Sequence, residues 1–325
     1  MITSLIAILT GLVLVNFTQP GLGADLGLIQ QVDGLGQTRQ SIGETLLEIV
    51  PKNIFQAFSE GQMLSIIFFA ILFGFFITKV NEKPRRFLTD FFNSSLEVVM
   101  EITMFIIKFA PIGIFGIVAN QISQVPDLWA LAQRLGLYML TVIVGLLIHM
   151  LITLSVAIKV LGKVNPIQHL RNMSVPILTA FSTSSSNATL PLTLEAVEHK
   201  SGVSNKIASF TLPLGATINM NGTALYECVA VMFISQAYGI DLTFSQQMIV
   251  VFTALLAAIG SAGIPMAGLV MMAIVMNAVG LPLEGIGLIL AVDRILDMFR
   301  TVVNVYGDTC GAVVVAKSEG EILKS

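Results

Sequence analysis

The chain has 325 residues, of which 55% are hydrophobic and 11% are charged, and its formal net charge at pH 7 is −3. Soluble domains carry about 25% charged residues, so this composition predicts an integral membrane protein whose solvent is lipid. No basic stripe is present that would follow a phosphate backbone, which argues against nucleic acid as a partner, and two cysteines, Cys228 and Cys310, are too few for a disulfide framework.

Four apolar segments in the first half of the chain match a membrane-spanning helix, which needs about 20 mostly apolar residues. They cover residues 2–17, 63–80, 96–121 and 129–161. Residues 2–17 could also form a signal-peptide core, but no basic segment precedes them and no small-residue cleavage site follows, so we interpret them as a membrane helix. Residues 19–62 are rich in glycine and glutamine and predict an extracellular loop with interfacial helices.

After residue 161 the pattern changes, because apolar stretches of about 10 to 15 residues, too short to span a bilayer, meet at polar or glycine-rich centres. We interpret residues 165–200 as a re-entrant helical hairpin with a serine-rich tip at 182–189, and residues 243–283 as a second hairpin with a glycine-rich tip at 260–268. Helices with polar centres follow at 202–238 and 285–318. Paired broken elements indicate a transporter's binding site, so we expect the tips to face each other inside the protein.

Basic residues predict the orientation of the chain in the membrane. They cluster in three connections, at residues 79–86, 159–171 and 199–206, whereas the alternating connections at 121–128 and 238–247 contain no lysine or arginine. Because positively charged loops stay inside the cell, the first set should be cytoplasmic. The chain is then a multi-pass protein of the cell (inner) membrane with a cytoplasmic C-terminus.

A polar stripe on the last predicted helix carries the chemistry. Its members fall within roughly 80° of one another on a helical wheel; they are Asp293, Asp297, Arg300, Asn304 and Asp308. Charges at the bilayer centre are costly, so the stripe must face protein, water or a ligand. One interpretation is an internal salt-bridge ladder that holds helices together. Buried ion pairs stabilise poorly, however, which favours a binding site.

A zwitterion with an additional carboxylate would match the charges of this stripe. The guanidinium of Arg300 suits a carboxylate, and Asp297, one turn away, suits an ammonium group. Thr301 and Asn304 offer further hydrogen bonds. Asp308 is a hard oxygen ligand of the kind that sodium prefers, and we expect unwound backbone carbonyls near Asn219 and Asn304 to complete such a site.

Two other polar features have alternative interpretations. The hydroxyls and free N–H groups of the serine tip, with Ser185 and Ser186 at its centre, could bind a carboxylate at the start of a half-helix; they could equally satisfy the loop backbone alone. Glu227, in an apolar run one turn after Thr223, could carry a proton during transport. A structural hydrogen bond to a neighbouring helix is its alternative role.

Several motifs in a fixed order resemble one family. They are the serine tip followed by Thr189-Leu190-Pro191, the run Pro213-Leu214-Gly215-Ala216-Thr217-Ile218-Asn219-Met220, the tip at 260–268, and Asp297-Met298-Phe299-Arg300-Thr301-Val302-Val303-Asn304-Val305 with Gly307-Asp308. From residue 1 almost to its end, the chain resembles the dicarboxylate/amino acid:cation symporters, the family of glutamate/aspartate and neutral amino acid transporters. The resemblance implies an all-α glutamate-transporter-like fold with two re-entrant hairpins and broken helices, a homotrimer, and elevator-type alternating access.

The resemblance also implies roles for individual residues. Substrate contacts would come from Ser185, Ser186, Thr223, Ile264, Gly268, Asp297, Arg300, Thr301 and Asn304. Sodium would bind at Gly215, Asn219, Asn304 and Asp308, and at a second site made by Thr217, Ala258, Ile259 and Ser261. For a third sodium site, Thr3 and Ser4 match the family, but Asn221 replaces its usual aspartate. Glu227 resembles a proton-carrying glutamate, and Arg300 favours aspartate or glutamate as the substrate.

The resemblance further implies a division of the chain into functional parts. Residues 1–18 and 128–325 would form the transport core and residues 63–127 a scaffold, and the first two membrane helices of the family would be absent. No arginine lies at the serine tip or beside Asp297, where family members carry one; Arg294 is the nearest substitute. Alternatives are a neutral amino acid or dicarboxylate symporter, or a transport-incompetent fragment. No serine-hydrolase or zinc-protease motif occurs, so we do not expect an enzyme. The resemblance implies Na⁺ as the coupling ion and no organic cofactor.

Overall fold

The computed structural model describes residues 1–23, 50–60, 63–109, 112–113, 115–116, 119, 123, 128–260 and 267–324. All secondary structure in these ranges is helical, as the sequence predicts. The helices up to residue 199 are α1 (Ile2–Thr18), α2 (Ile54–Glu60), α3 (Met63–Ile77), α4 (Glu82–Ile107), α5 (Leu128–Gly162), α6 (Pro166–Asn172), α7 (Ser174–Thr183) and α8 (Ser186–His199). They are followed by α9 (Asn205–Ile218), α10 (Asn221–Ala237), α11 (Phe244–Gly260), α12 (Ala267–Ala278) and α13 (Ile286–Ser318).

The chain divides into two compact units, one of residues 1–39 and 125–325 and the other of residues 40–124. In the larger unit, α10 is the central helix and is buried along almost its whole length. Helices α1, α5, α11, α12 and α13 pack around it, so its neighbours surround it on all sides. The assignment of these units as transport core and scaffold stays a prediction.

In the smaller unit, α3 packs against α2 and α4, and the rings of Phe73 and Phe92 meet edge to face at 5.9 Å. For the third apolar segment, predicted as residues 96–121, the helix begins earlier, at Glu82, and is interrupted after Ile107. Residues 112–113, 115–116, 119 and 123 are again helical, and the predicted end at residue 121 lies outside the described residues. The polar first turns of α4 are stabilised by an ion pair one turn apart, 2.7 Å between Glu82 and Arg86. A proline at position 111 disfavours continuation of the helix beyond its end.

One described helix, α5, is long and apolar enough to cross a membrane; it has 35 residues. It contains two π-helical segments, His149–Leu154 and Ile158–Gly162. The other apolar helices, among them α1 and α7, have 10–17 residues. Three helices of the two expected hairpins, α7, α11 and α12, therefore lie in this shorter class, as their sequence pattern predicts.

Two of the expected helix interruptions are present and one is not. Helices α7 and α8 pack together and are joined by Ser184 and Ser185, and Ser184 adopts a left-handed conformation with φ of 53°. Helices α9 and α10 are separated by Asn219 and Met220, which leave the helical conformation. Helix α13 is continuous over 33 residues. The expectation of an unwound carbonyl near Asn304 is therefore wrong, because its backbone groups belong to the regular helix.

Candidate functional site

A buried guanidinium lies at the centre of the candidate site. Arg300 on α13 is 1% exposed, and its Nη2 lies 2.8 Å from Asp297 Oδ1 while its Nη1 lies 3.1 Å from Asp293 Oδ1. Asp293 is 1% exposed and Asp297 6%. One cation is thus shared by two carboxylates of its own helix, in the spacing that the stripe predicts.

Neighbouring helices enclose Arg300 from two further directions. The ring of Tyr226 on α10 lies under the guanidinium, with 3.7 Å between Cζ and the ring centroid, a cation–π contact. A Cβ atom added to Gly268 on α12 would lie 3.0 Å from Nη1 of Arg300 and 3.3 Å from Cγ2 of Thr223. The structure therefore brings Gly268, Thr223 and Arg300 together, and a side chain at position 268 would require its neighbours to shift by a few tenths of an ångström.

The ion pairs of Arg300 correspond to the salt-bridge ladder that the sequence leaves as an alternative. Asp297 also has a second cation nearby, because Nη1 of the half-exposed Arg294 lies 3.9 Å from its Oδ2. The tip residues 261–266, with the substrate candidate Ile264 and the sodium candidate Ser261, lie outside the described residues.

Asn304 connects α13 to the start of α10. Its Oδ1 accepts a hydrogen bond of 2.7 Å from the backbone N–H of Gly222, and its Nδ2 donates to Thr223 Oγ1 at 3.0 Å. The side-chain amide thereby satisfies one of the free N–H groups at the beginning of α10. Thr301, also on α13, donates within the helix to the carbonyl of Asp297 at 2.8 Å.

Asp308 lies at the other side of the break, beside the end of α9. Its Oδ1 accepts a hydrogen bond of 2.8 Å from Asn219 Nδ2. A Cβ atom at Gly215 would lie only 2.6 Å from the same oxygen, so glycine is required for the carboxylate to approach α9 this closely. Three of the predicted sodium ligands, Gly215, Asn219 and Asp308, thus meet at one place, whereas the side chain of Asn304 is directed to α10.

The residues predicted for the third sodium site also meet. Ser4 Oγ on α1 donates to Asn221 Oδ1 at 2.7 Å, and Thr3 Oγ1 lies 3.4 Å from the same atom. Both hydroxyls therefore contact the asparagine that stands in place of the expected aspartate.

The residues predicted for the second sodium site are only partly described. Thr217 is on α9, and Ala258 and Ile259 are near the end of α11, a helix that packs against α9. The hydroxyl group of Thr217 donates to the carbonyl of Leu214 at 2.8 Å. With Ser261 outside the described residues, this site stays a prediction.

The serine tip has local hydrogen bonds and packs on α13. Ser185 is the N-cap of α8, and its Oγ accepts from the backbone N–H of Ala188 at 3.2 Å, while Ser186 is 4% exposed. The ring of Phe181 meets Phe299, which precedes Arg300, edge to face at 5.2 Å. The tip is therefore next to the arginine's helix, although its own polar contacts are those of a helix cap.

Glu227 is fully buried on α10, and neither of its carboxylate oxygens has a hydrogen-bond partner among the described residues. The structural hydrogen bond that the sequence leaves as an alternative is thus not formed within the described part of the chain. A charged carboxylate without a partner is costly in such a place.

Two contacts of the site are not predicted from the sequence. Asp293 belongs to the stripe, seven positions before Arg300, and that spacing is a signal that would have identified it as a partner. Tyr226 lies in an apolar run next to Glu227, and nothing in the sequence indicates that its ring lies under Arg300.

The fold and the site define an all-α protein organised around a buried cluster of one arginine and several carboxylates. The chain belongs to the Sodium:dicarboxylate symporter family, whose model matches residues 1–318.

Similar curated proteins come from several mammals. Excitatory amino acid transporter 3 of Mus musculus is 47% identical over 261 residues, covering 80% of this chain and 50% of the relative. Excitatory amino acid transporter 3 of Homo sapiens is 41% identical over 290 residues (87% and 55%), and excitatory amino acid transporter 1 of Rattus norvegicus is 43% identical over 262 residues (81% and 48%). The chain spans about half the length of these relatives.

Proposed function

We propose that the protein performs sodium-coupled symport of an acidic amino acid, aspartate or glutamate, across the cytoplasmic membrane. The observation that carries this proposal is the buried Arg300 between Asp293 and Asp297, next to Thr223 and Gly268. A planar guanidinium in this position suits a side-chain carboxylate of the solute. The names of the relatives, excitatory amino acid transporters, support the same substrate class.

Binding would exchange one ion pair for another. The carboxylate of the solute replaces Asp297 on Arg300, and the freed Asp297 receives the ammonium group of the solute. Asp297 is the better candidate for release because it is 6% exposed and has Arg294 nearby, whereas Asp293 is 1% exposed. Asp293 and the ring of Tyr226 then keep the guanidinium in place.

The charges of the site support cation coupling. Asp293, Asp297 and Asp308 are three buried carboxylates, and Arg300 is the one buried cation beside them in the described residues. An acidic amino acid adds a further net negative charge, which is costly in a medium of low dielectric constant. Sodium ions that enter with the solute offset this charge, so that each ligand raises the affinity for the other.

The sodium ions would bind at the positions predicted from the sequence. One would bind at Asp308, where the backbone carbonyl of Asn219, which leaves the helical conformation, supplies a further oxygen. A second would use carbonyls of Ala258 and Ile259, and a third would use Thr3, Ser4 and Asn221. With a neutral amide in place of a carboxylate, this third position holds a cation less tightly than an aspartate would. Glu227, buried and without a hydrogen-bond partner among the described residues, would carry a proton.

The transport step would follow an elevator mechanism in a homotrimer. The larger unit moves as the transport core, the smaller unit belongs to the scaffold, and sodium orders the second hairpin over the substrate. The C-terminus lies in the cytoplasm.

Uptake of radiolabelled aspartate into proteoliposomes, with and without a sodium gradient, tests the proposal. We expect saturable, sodium-dependent uptake, competed by glutamate but not by a neutral amino acid or by a dicarboxylate without an ammonium group. Loss of a buried charged partner should lower the affinity of Arg300→Ala for aspartate by at least about 30-fold. Arg171→Ala, at an exposed arginine of α6, is the matched control and should behave as the unaltered protein.

Unchanged aspartate affinity in Arg300→Ala would overturn the substrate assignment. Competition by a neutral amino acid or by a dicarboxylate would instead indicate the corresponding alternative symporter. Sodium-dependent binding of aspartate in detergent without uptake would identify a chain that binds its ligands but does not transport. Hydrolysis of a peptide or lipid that is lost in Ser186→Ala would indicate an enzyme.

A further inference from the structure

The chain beyond α13 turns back and crosses the loop between α8 and α9. The turn is a Schellman motif: Glu321 N–H donates to Ala316 O at 3.0 Å and Gly320 N–H donates to Lys317 O at 3.2 Å, with Gly320 at φ +86°. Leu323 then packs against the hydrophobic core. We call residues 320–324 the strap.

The strap contacts the facing ends of α8 and α9 through two side chains of opposite charge. Lys324 Nζ donates to the last carbonyl of α8, that of His199, at 2.7 Å. Glu321 Oε2 accepts from the N–H of Ser204, the N-cap of α9, at 2.9 Å. A cation at the carboxyl end of one helix and an anion at the amino end of the next both match the helix dipoles. The side chain of Ser204 makes no capping hydrogen bond of its own, and Glu321 satisfies a different group, the backbone N–H of this N-cap residue.

The loop is shaped to receive the strap. Lys324 N–H donates to Ser201 O at 3.0 Å. Gly202 has φ +78°, and a Cβ atom there would lie 3.0 Å from Lys324 Cγ and 3.1 Å from its backbone nitrogen. A side chain at this position would therefore be strained and would also push the strap away.

A buried hydrogen-bonded chain leads from this loop to α13. His169 on α6 lies 3.2 Å from Ser201 Oγ through Nδ1 and 3.0 Å from Thr309 Oγ1 through Nε2. The Thr309 hydroxyl donates its one hydrogen to Tyr306 O at 2.8 Å, so it accepts from Nε2–H of His169. Nδ1 is then the acceptor for the Ser201 hydroxyl. Each of the three side chains is at most 1% exposed.

This series of hydrogen bonds ends next to the candidate ion site, because Thr309 follows Asp308 directly in the sequence. We propose that the strap is a positioning device: it fixes the α8–α9 loop, and through Ser201 and His169 it fixes the turn of α13 that carries Asp308. Release of the strap loosens both places, whichever solute the protein binds. The device joins the strap to the base of the serine hairpin.

Hydrogen exchange of the full chain in detergent, read by mass spectrometry, tests this inference without any ligand. The double variant Glu321→Ala/Lys324→Ala removes both side-chain contacts of the strap. Its matched control, Lys317→Ala/Glu319→Ala, also removes one lysine and one glutamate, both at the end of α13 and outside the strap. We expect amides of residues 199–204 to exchange about tenfold faster in the strap variant than in the control, and those of residues 306–311 about threefold faster.

Equal exchange rates at residues 199–204 in the two double variants would refute the proposal that the strap fixes the α8–α9 loop. Faster exchange there with unchanged exchange at 306–311 would overturn the connection to α13. Ser201→Ala tests that connection directly, since it removes the contact with His169 and leaves the strap's own bonds. Here we expect faster exchange at 306–311 with little change at 199–204, and the reverse result contradicts the inference.

Discussion

The contact between α10 and α13 at Gly222 allows a quantitative test of how the site is packed. A Cβ atom at this position would lie 2.6 Å from the carbonyl oxygen of Arg300 and 3.1 Å from its Cα. These are backbone atoms, so Gly222→Ala requires the two helices to separate. Overpacking of this kind costs about 1–3 kcal/mol. The shift also weakens the 2.7 Å bond from Gly222 N–H to Asn304, which is worth about 0.5–1.5 kcal/mol.

The gain in helix propensity opposes these costs but is smaller. Replacing glycine by alanine within a helix stabilises by about 0.5–1 kcal/mol. The net expectation for Gly222→Ala is a loss of about 1–3 kcal/mol, and at roughly 2 °C per kcal/mol the melting temperature should fall by about 2–6 °C. Gly311→Ala on α13 is the control, since nothing lies within 4 Å of its added Cβ atom, and propensity alone should raise its melting temperature slightly.

Thermal unfolding of the purified protein in detergent, followed by loss of the monodisperse size-exclusion peak, measures both variants. If Gly222→Ala melts as high as Gly311→Ala, α10 and α13 are not packed as described. The described positions of Asn304 and Arg300 relative to α10 would then also be refuted.

Two further predictions concern buried ionisable groups. Asp293→Asn removes one partner of the buried Arg300 and should destabilise the protein by about 3–5 kcal/mol, whereas Asp241→Asn, at an exposed aspartate, should have little effect; thermal unfolding distinguishes them. Burial lowers the pKa of His169, in the connection before α7, to about 4. The unfolded chain therefore binds more protons between pH 6.5 and 4, and stability should fall by up to about 3 kcal/mol as the pH drops through this window. His169→Gln should remove this part of the pH dependence, and an identical profile in the two proteins would refute it.

Much of the site follows from the cost of burying charge. Asp293, Asp297, Arg300 and Asp308 cannot face lipid, so the sequence predicts a protein-facing stripe, and all four are at most 6% exposed. Which carboxylates pair with the arginine is not predictable in the same way. Asp293 and Asp297 both lie on its side of the helix, and the ring of Tyr226, supplied by another helix, completes the surroundings of the guanidinium.

Helix ends and interruptions are predicted less well. Polar residues inside an apolar helix indicate either a break or a buried stripe, and the sequence does not separate the two. At Asn219 the helix breaks, whereas at Asn304 it continues. Hydropathy locates the apolar part of α4 but not its start at Glu82, because charged residues in the first turns are compatible with a helix end as well as a loop.

The break between α9 and α10 has an electrostatic consequence. The end of α9 presents backbone carbonyls and the start of α10 presents backbone N–H groups, so a partial negative and a partial positive pole stand side by side in the interior. Asp308 lies at the first pole and Asn304 at the second, one turn of α13 apart. A cation at one pole and an anion at the other would attract each other across a gap of about one helical pitch, roughly 5 Å. The two-residue interruption between α9 and α10 thereby places a region that favours a cation next to a region that favours an anion.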